Sequence, residues 1–515
     1  MNVTYVYNYK STLQLLGVLF FSCLLAGAPL KSGFAIPQPL QDLNSDTYYR
    51  VNDSSVALDS ASALSLPLAI KTALANNHDI KRSLLSVKSA KNEVLTAWSE
   101  VMPDINTNMG YTRNLEVPVN FLPAIIFDPS ASPDQLIPVA FGTDNVWQGG
   151  FTVSQNIFKG EALIGISSAE LFLSANEEAQ RGVAQQIVTE TRAAFYQVLF
   201  AEQQYHLEQN VVNRLTENVR QNRARVDAGL LDSYEILRLE VALANQQPMV
   251  TEAKYAVNQA YRNLSIIMGV PSEFKLKVKG NLATYNLMSE KQDDLANLES
   301  GIINEAIEIE QNFPDKAFLL RSDLSSLDIQ RNLKIKETQA YKSRYLPTIT
   351  AEYAWQYTAA QPGSPNFFGN SDQRARFQTL GLNFSMPIFN GLTRNNTIQK
   401  AIIQRKDIEV QQDQAKQIAS AQIAQLREAF EKIKEIASAR QKALDQAKRG
   451  YKIAQSRFTQ GFGTQLDVDE AQEQMQIAET NYAAMTLEYL TTKAQYDYAI
   501  GEVPFVDVQP QSTTL

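Results

Sequence analysis

The chain has 515 residues, of which 44% are hydrophobic and 20% charged, and its formal net charge is -8. That balance disfavours a nucleic-acid partner, because binding phosphate needs a basic surface and no basic patch stands out. One cysteine, Cys23, and two histidines far apart along the chain, His78 and His206, argue against a disulfide framework, a metal centre or an imidazole-based active site.

The longest apolar run is Leu13 to Ala28, preceded by Lys10 and followed by Gly33-Phe34-Ala35. This is the form of a signal peptide over residues 1–35, with cleavage expected after Ala35. The alternative, an uncleaved anchor, fits less well because a bilayer span needs about 20 residues. Cys23 lies inside the run, a poor match to a lipoprotein site, so the mature chain would contain no cysteine. No later run is long enough to cross a bilayer as a helix, so any membrane segment must be built from strands.

Residues 36–63, rich in Pro, Asp, Asn and Ser, read as an extended lead-in. A helical pattern over Ser65 to Glu100 stops at Pro103, and the period then changes to two. Ile105, Thr107, Met109 and Tyr111 take one face of a strand, and Asp104, Asn106, Asn108 and Thr112 the other. A loop with five prolines, Leu115 to Asn145, leads to a second strand in which Trp147, Phe151, Val153 and Ile157 alternate with Gln148, Thr152, Ser154 and Asn156. A helix without proline is then predicted from Glu161 to Val226, with Val198, Tyr205, Val212, Val219 and Val226 spaced by seven. A turn at Gly229 returns the chain along Ile236, Leu243, Val250, Val257 and Leu264, in a helix that Pro248 should bend. Residues 64–270 form this first repeat, and 271–300 an irregular segment between repeats.

Residues 301–501 repeat the pattern. Arg225, Gly229, Glu235 and Gly269 recur as Arg457, Gly461, Asp467 and Gly501, each 232 positions later, and Ile157-Phe158-Lys159-Gly160 recurs as Ile388-Phe389-Asn390-Gly391. Ile349, Ala351, Tyr353, Trp355 and Tyr357 oppose Thr348, Thr350, Glu352 and Gln356. Leu380, Leu382, Phe384, Met386 and Ile388 oppose Thr379, Gly381, Asn383 and Ser385. A helix from Leu392 to Phe458 carries Phe430, Ala437, Leu444, Tyr451 and Phe458, and its return carries Val468, Met475, Tyr482, Tyr489 and Tyr496. Residues 502–515 read as a polar tail. Four strands cannot close a barrel, since the smallest single-chain barrels use about eight, and open edges are not tolerated in lipid. Three copies would supply twelve.

The opening Leu64-Ser65-Leu66-Pro67-Leu68-Ala69-Ile70 with Ala73-Leu74-Ala75-Asn76-Asn77, the prolines Pro103 and Pro347 before strands, and the paired hairpin turns together resemble the TolC-like outer membrane factors of Gram-negative efflux pumps and type I secretion systems. The resemblance covers about Leu64 to Gly501. It implies a mostly α protein with a small β-barrel contribution. In the assembled form this would be a homotrimeric duct, each protomer giving four transmembrane strands and long antiparallel coiled-coil helices by internal duplication. It also implies a passive, non-enzymatic exit channel in outer membrane lipid, reaching into the periplasm and opened at its tip by a periplasmic adaptor protein serving an inner membrane pump, with no cofactor. The rival reading is a structural coiled-coil envelope protein without a through-pore, for which a polar face on every strand would have no use.

By the resemblance, Gly229-Leu230-Leu231 and Gly461-Phe462-Gly463 form the periplasmic tip where the adaptor docks, and Glu235, Asp467 and Glu470 match acidic constrictions. Two readings of the carboxylates stay open, because Asp232-x-x-Glu235 and Thr464-x-x-Asp467 also have the form of helix capping boxes. Where the family's best-known members carry an aromatic hydroxyl and an arginine, this chain has Phe458 and Gly463, which points to closure by packing of Phe458 and Phe462. Trp147, Tyr353, Trp355 and Tyr357 suit a membrane-interface girdle, or else the buried face of a soluble sheet.

Overall fold

A computed structural model describes residues 63–130, 132, 134–229, 232–272, 276–282, 320–365 and 371–506. The expected leader, nearly all of the lead-in, Leu230 and Leu231, residues 283–319 and the end of the tail lie outside the described residues. In chain order the elements are α1 Leu66–Asn76, α2 His78–Ser99, β1 Asp104–Arg113, β2 Val119–Pro123, β3 Leu136–Ala140, β4 Asn145–Phe158, α3 Gly160–Asp227, α4 Ser233–Met268, α5 Ser322–Ser343, β5 Thr348–Gln361, β6 Arg374–Ser385, α6 Thr393–Thr459 and α7 Gln465–Ile500. They divide between two compact units. One comprises Lys91–Leu171 and Leu333–Gln404, with all the strands, and the other takes in the greater part of the helices.

In the first unit the strands form an antiparallel sheet in the order β1-β4-β5-β6. Its register keeps one face largely apolar from β1 to β5 and where β6 meets Ile349 to Tyr353, whereas Trp355 and Tyr357 sit opposite Gln378 and Arg376. Ile105, Thr107 and Tyr111 sit opposite Val153, Phe151 and Trp147, which sit opposite Tyr353, Trp355 and Ala359, and Tyr353 pairs with Leu380. The other face carries Asp104 beside Ser154 and Glu352, and Asn108 beside Gly150 and Gln356. The central pair, β4 and β5, joins the two repeats. Gly150 is required there, because a Cβ at that position would lie 2.4 Å from the Trp355 carbonyl oxygen. β1 and β6 are left as open edges.

Two expectations about the strands change. The segment from Leu115 to Asn145 is not all loop: β2 and β3 pair antiparallel, from Val119 opposite Ala140 to Pro123 opposite Leu136. These are short runs broken by Pro118, Pro123 and Pro138, and a two-stranded ribbon tolerates proline because each strand needs its N–H groups on one side only. Met386 and Ile388 fall beyond β6, which ends at Ser385, since Pro387 has no N–H with which to continue the ladder.

The second unit is built on two helical hairpins, α3 with α4 and α6 with α7. α3, at 68 residues, has a contour of about 100 Å. α4 continues through Pro248, which lies at an exposed position, so the proline does not end the helix. On α3 the expected row of Val198, Tyr205, Val212, Val219 and Val226 is one side of the seam. The other side is Ile187, Ala194, Ala201, Glu208, Leu215 and Asn222, offset to complete an a/d pattern. Its two polar members are bonded: Glu208 accepts from Gln246 on α4 and Gln476 on α7, and Asn222 Nδ2 donates to Gln465 Oε1 at 3.2 Å.

Phe430 on α6 packs edge-on against Tyr489 and Tyr496 of α7, 5.9 and 5.7 Å between ring centres. Burial in this core pushes the Tyr496 phenol up to about 12. Arg192, 1% exposed, donates to Asp497 at 2.8 Å, joining α3 to α7. Val503 and Val506 also enter the core, so the start of the expected polar tail is packed rather than solvated.

The single helix expected over Ser65 to Glu100 is two, broken at Asn77. Asn77 Oδ1 accepts from Asp79 N and Ile80 N, capping α2, while Asn77 Nδ2 donates to the Ile267 carbonyl at 2.8 Å. The break is shaped by Gly269, which ends α4 with φ +67 in a Schellman turn, and where a Cβ would lie 2.4 Å from the Asn76 oxygen. Its repeat mate Gly501 has φ +80, and a Cβ there would lie 2.5 Å from the Leu320 carbonyl carbon.

Candidate channel tip and membrane face

The membrane-facing candidates all lie on the apolar side of the sheet. Trp147 lies tilted against Tyr111 with ring centres 4.3 Å apart, and Phe151 lies 5.9 Å from Tyr353 and 5.8 Å from Trp355. Tyr353, Trp355 and Tyr357 are alternate residues of β5 and cover about 14 Å along the strand. The aromatics therefore run down the face, with Trp147 near one end. The edge strands expose this face: Met109 is 89% exposed, and Ile105, Leu382 and Phe384 are also open. At the loop end, Tyr111 Oη donates to Asn145 Oδ1 at 2.7 Å, and buried Asn145 donates to the Gly363 carbonyl at 2.8 Å, which ties β1, β4 and β5 together. Among the described residues no helix is long and apolar enough to cross a membrane.

Both hairpin turns lie in the second unit. Gly229 and Gly461 adopt φ +71 and +81, the left-handed conformation that ends a helix without a Cβ penalty. At the second turn the Schellman pair is complete, with Phe462 N donating to Arg457 O and Gly461 N to Phe458 O. Gly463 is hemmed in, because a Cβ there would meet Phe458 N at 3.3 Å. Phe462 is 75% exposed, whereas Phe458 is half-buried beneath the Arg225 guanidinium, 4.6 Å from its ring centre. Phe458 thus joins the ends of α3 and α6, and Phe462 projects alone.

The carboxylates separate into different roles. Asp467 forms the capping box: its Oδ2 accepts from Thr464 N at 2.8 Å, and Asp467 N donates to Thr464 Oγ1 at 3.2 Å. The hydrogen bond from the Thr464 backbone, chiefly, holds its carboxyl below the usual range. The box expected in the first repeat does not form. Asp232 accepts from Tyr234 N, and Glu235 lies instead 3.2 Å from Arg238. Arg238 Nη2 is also 3.1 Å from Asp469, so one guanidinium spans carboxylates on α4 and α7. Gln465 Nε2 donates to Asp469 Oδ1 at 2.8 Å and is held by Asn222, which extends the network to α3. Burial pushes the Asp469 carboxyl up, against the pull of Gln465 and Arg238 and with help from Glu235. Glu470 is exposed.

Arg238, Asp469, Gln465 and Asn222 were not singled out from the sequence. One signal was present: under the 232-residue shift Arg238 falls on Glu470, a charge reversal at equivalent positions of the two hairpins.

Comparison with known proteins agrees with this geometry. The family described as outer membrane efflux protein matches residues 69–270 and 313–502. A pyoverdine export outer membrane protein of Pseudomonas aeruginosa, OpmQ, is 20% identical over 493 residues, covering 94% of this chain and 96% of that protein. The fold is shared with the CmeC outer membrane channel of Campylobacter jejuni, at TM-score 0.66 and 17% identity over 85% of each chain. It is shared also with the open state of the MtrE outer membrane channel of Neisseria gonorrhoeae, at TM-score 0.65 and 15% identity over 86% of this chain and 90% of that one. With an open sheet largely greasy on one face and polar on the other, and a helical hairpin following each half of its strands in sequence, the chain belongs to the outer membrane efflux protein family and is an efflux channel of the outer membrane that extends into the periplasm.

Proposed function

We propose that three copies of this chain close one barrel of twelve strands, with their apolar faces toward lipid and their polar faces lining the pore. Substrate crosses this duct passively and chemically unchanged. A periplasmic adaptor protein docks at the hairpin turns around Gly229 and Gly461–Gly463 and opens the tip, and an inner membrane pump supplies the energy and selects the cargo. The observation that carries this reading is the sheet itself: one face is largely apolar and the other largely polar while β1 and β6 keep unpaired edges, a combination stable in a bilayer only if further strands complete it. A coiled-coil spacer without a pore would leave the polar face unexplained. Glu235, Phe458, Asp467 and Glu470 stand at the proposed gate, with closure resting on Phe458 under Arg225 and on the Arg238 bridge. Purified protein in planar bilayers should give discrete conductance steps. Insertion without conductance, even after truncation of the hairpin turns, would favour the spacer.

A further inference from the structure

Where β4 gives way to α3 and β6 to α6, the first unit forms a half-open cavity of about 260 Å³ lined by residues that include Lys159, Glu161, Tyr341, Arg344, Asn390 and Arg394. Two of its three cations have carboxylate partners: Lys159 Nζ lies 2.7 Å from Glu100, and Arg344 holds Glu161 through Nε and Nη2. The third has none. Arg394 is 7% exposed, its Nη1 and Nη2 donate to the carbonyls of Arg344 and Pro387, its guanidinium lies 4.7 Å from the Tyr345 ring centre, and its Nε is without a hydrogen-bond partner. Among the described residues no carboxylate pairs with it. A guanidinium cannot shed its proton, and a buried charge without a counter-charge is costly.

Other features of the cavity favour an anion as well. Both long helices begin at its wall, α3 at Gly160 and α6 at Thr393, and their N-terminal dipoles add positive potential. The segment leading into α6 also presents exposed apolar side chains: Ile388 is 93% exposed, and Phe389 and Leu392 are open. A buried cation beside exposed aliphatic and aromatic groups, at the end of membrane strands, matches a molecule with a phosphate at one end and hydrocarbon at the other.

We propose that this cavity binds the phosphate of a membrane phospholipid, with Arg394 as the counter-charge and Ile388, Phe389 and Leu392 against the acyl chains. The site rests on the outer membrane placement of the strands and is independent of the tip and its gating.

The test is native mass spectrometry of the full chain in mild detergent, titrated with phosphatidylglycerol. One retained lipid per chain is expected, with affinity at least about tenfold weaker in Arg394→Gln and about threefold weaker in Lys159→Gln. Diacylglycerol with the same acyl chains should bind poorly, and inorganic phosphate should compete only at far higher concentration. Equal lipid binding by Arg394→Gln, or equal binding of diacylglycerol, overturns the proposal, and displacement by phosphate at matched concentration would make this a free-anion site. If Arg394→Gln does not fold, Arg394→Lys and Lys159→Gln decide, and unchanged binding in both overturns the assignment. Lipid binding without bilayer conductance would count against the channel reading and leave the site standing.

Discussion

Arg238 sits between Glu235 and Asp469, and its loss would leave two carboxylates from different helices facing each other. Arg238→Gln is therefore expected to raise the open probability of single channels at neutral pH by roughly two- to fivefold, the range for a partly exposed pair. Asp469→Asn should have a smaller effect, because burial raises the pKa of this carboxyl, so the cost of burying its charge offsets part of what its pairing with Arg238 contributes. The same raised pKa fixes the pH response. A contact that holds the proton more tightly than a free carboxyl does is strengthened as pH falls through the raised value and weakened above it. Open probability of the parent channel should thus fall on acidification from neutral into the carboxylate range, and Asp469→Asn should flatten that dependence. An open probability that rises with acid in recordings at graded pH would contradict the assignment. Asp467 and Glu470 give a separate outcome. Asparagine at 467 still accepts the Thr464 backbone hydrogen bond, so Asp467→Asn with Glu470→Gln should leave the fold and the proposed trimer intact, and a fall in cation preference would show that these carboxylates also face the pore.

Gly269 and Gly501 show how elements separated by most of a repeat are locked together. Each ends its helix in the left-handed conformation, and each lies against backbone at the boundary of another helix, Gly269 at the Asn76–Asn77 break between α1 and α2 and Gly501 at Leu320–Arg321 just before α5. Gly229 and Gly461 share the conformation but have open space around them. Alanine at 269 or 501 should destabilise by roughly 3 kcal/mol or more, combining backbone strain with a steric clash, and alanine at 229 or 461 by about 1 kcal/mol from strain alone. Denaturant unfolding in detergent would rank the four. Equal losses at all four positions would mean that the close approach carries no weight. The sequence revealed the glycines through the repeat, but not what they touch. Asn77 looked like the interior of a helix because the residue that shapes its break lies at Gly269. In the same way, the α3 seam was half legible: its valines repeat every seven, while Glu208 and Asn222 break the apolar pattern and are satisfied only by Gln246, Gln476 and Gln465, on helices distant in sequence. The strand faces were largely readable, because period two needs no partner to interpret, although β6 runs from Arg374 to Ser385 rather than on to Met386 and Ile388. β2 and β3 were not, because proline masks so short a ribbon.

In the whole molecule, the duplication supplies two hairpins and two strand pairs, and β4 against β5 makes one sheet of them. The loops Leu115 to Asn145 and Gln361 to Arg374 leave the sheet at the end away from the long helices and should face the cell exterior. Engineered cysteines there should react with impermeant reagents on intact cells, and protection from outside would reverse the orientation. A pore through the bilayer requires that the open edges of β1 and β6 be completed by other copies. With Cys23 replaced by serine, cysteine pairs placed on β1 at Asn106 or Asn108 and on β6 at Phe377, Thr379 or Gly381 can report contact between the open edges of neighbouring copies. Oxidation in the native membrane should yield, for at least one pair, a ladder of crosslinked chains that ends at three. A ladder that continues beyond three, or monomer at every pairing, would contradict the closure of the barrel by three copies.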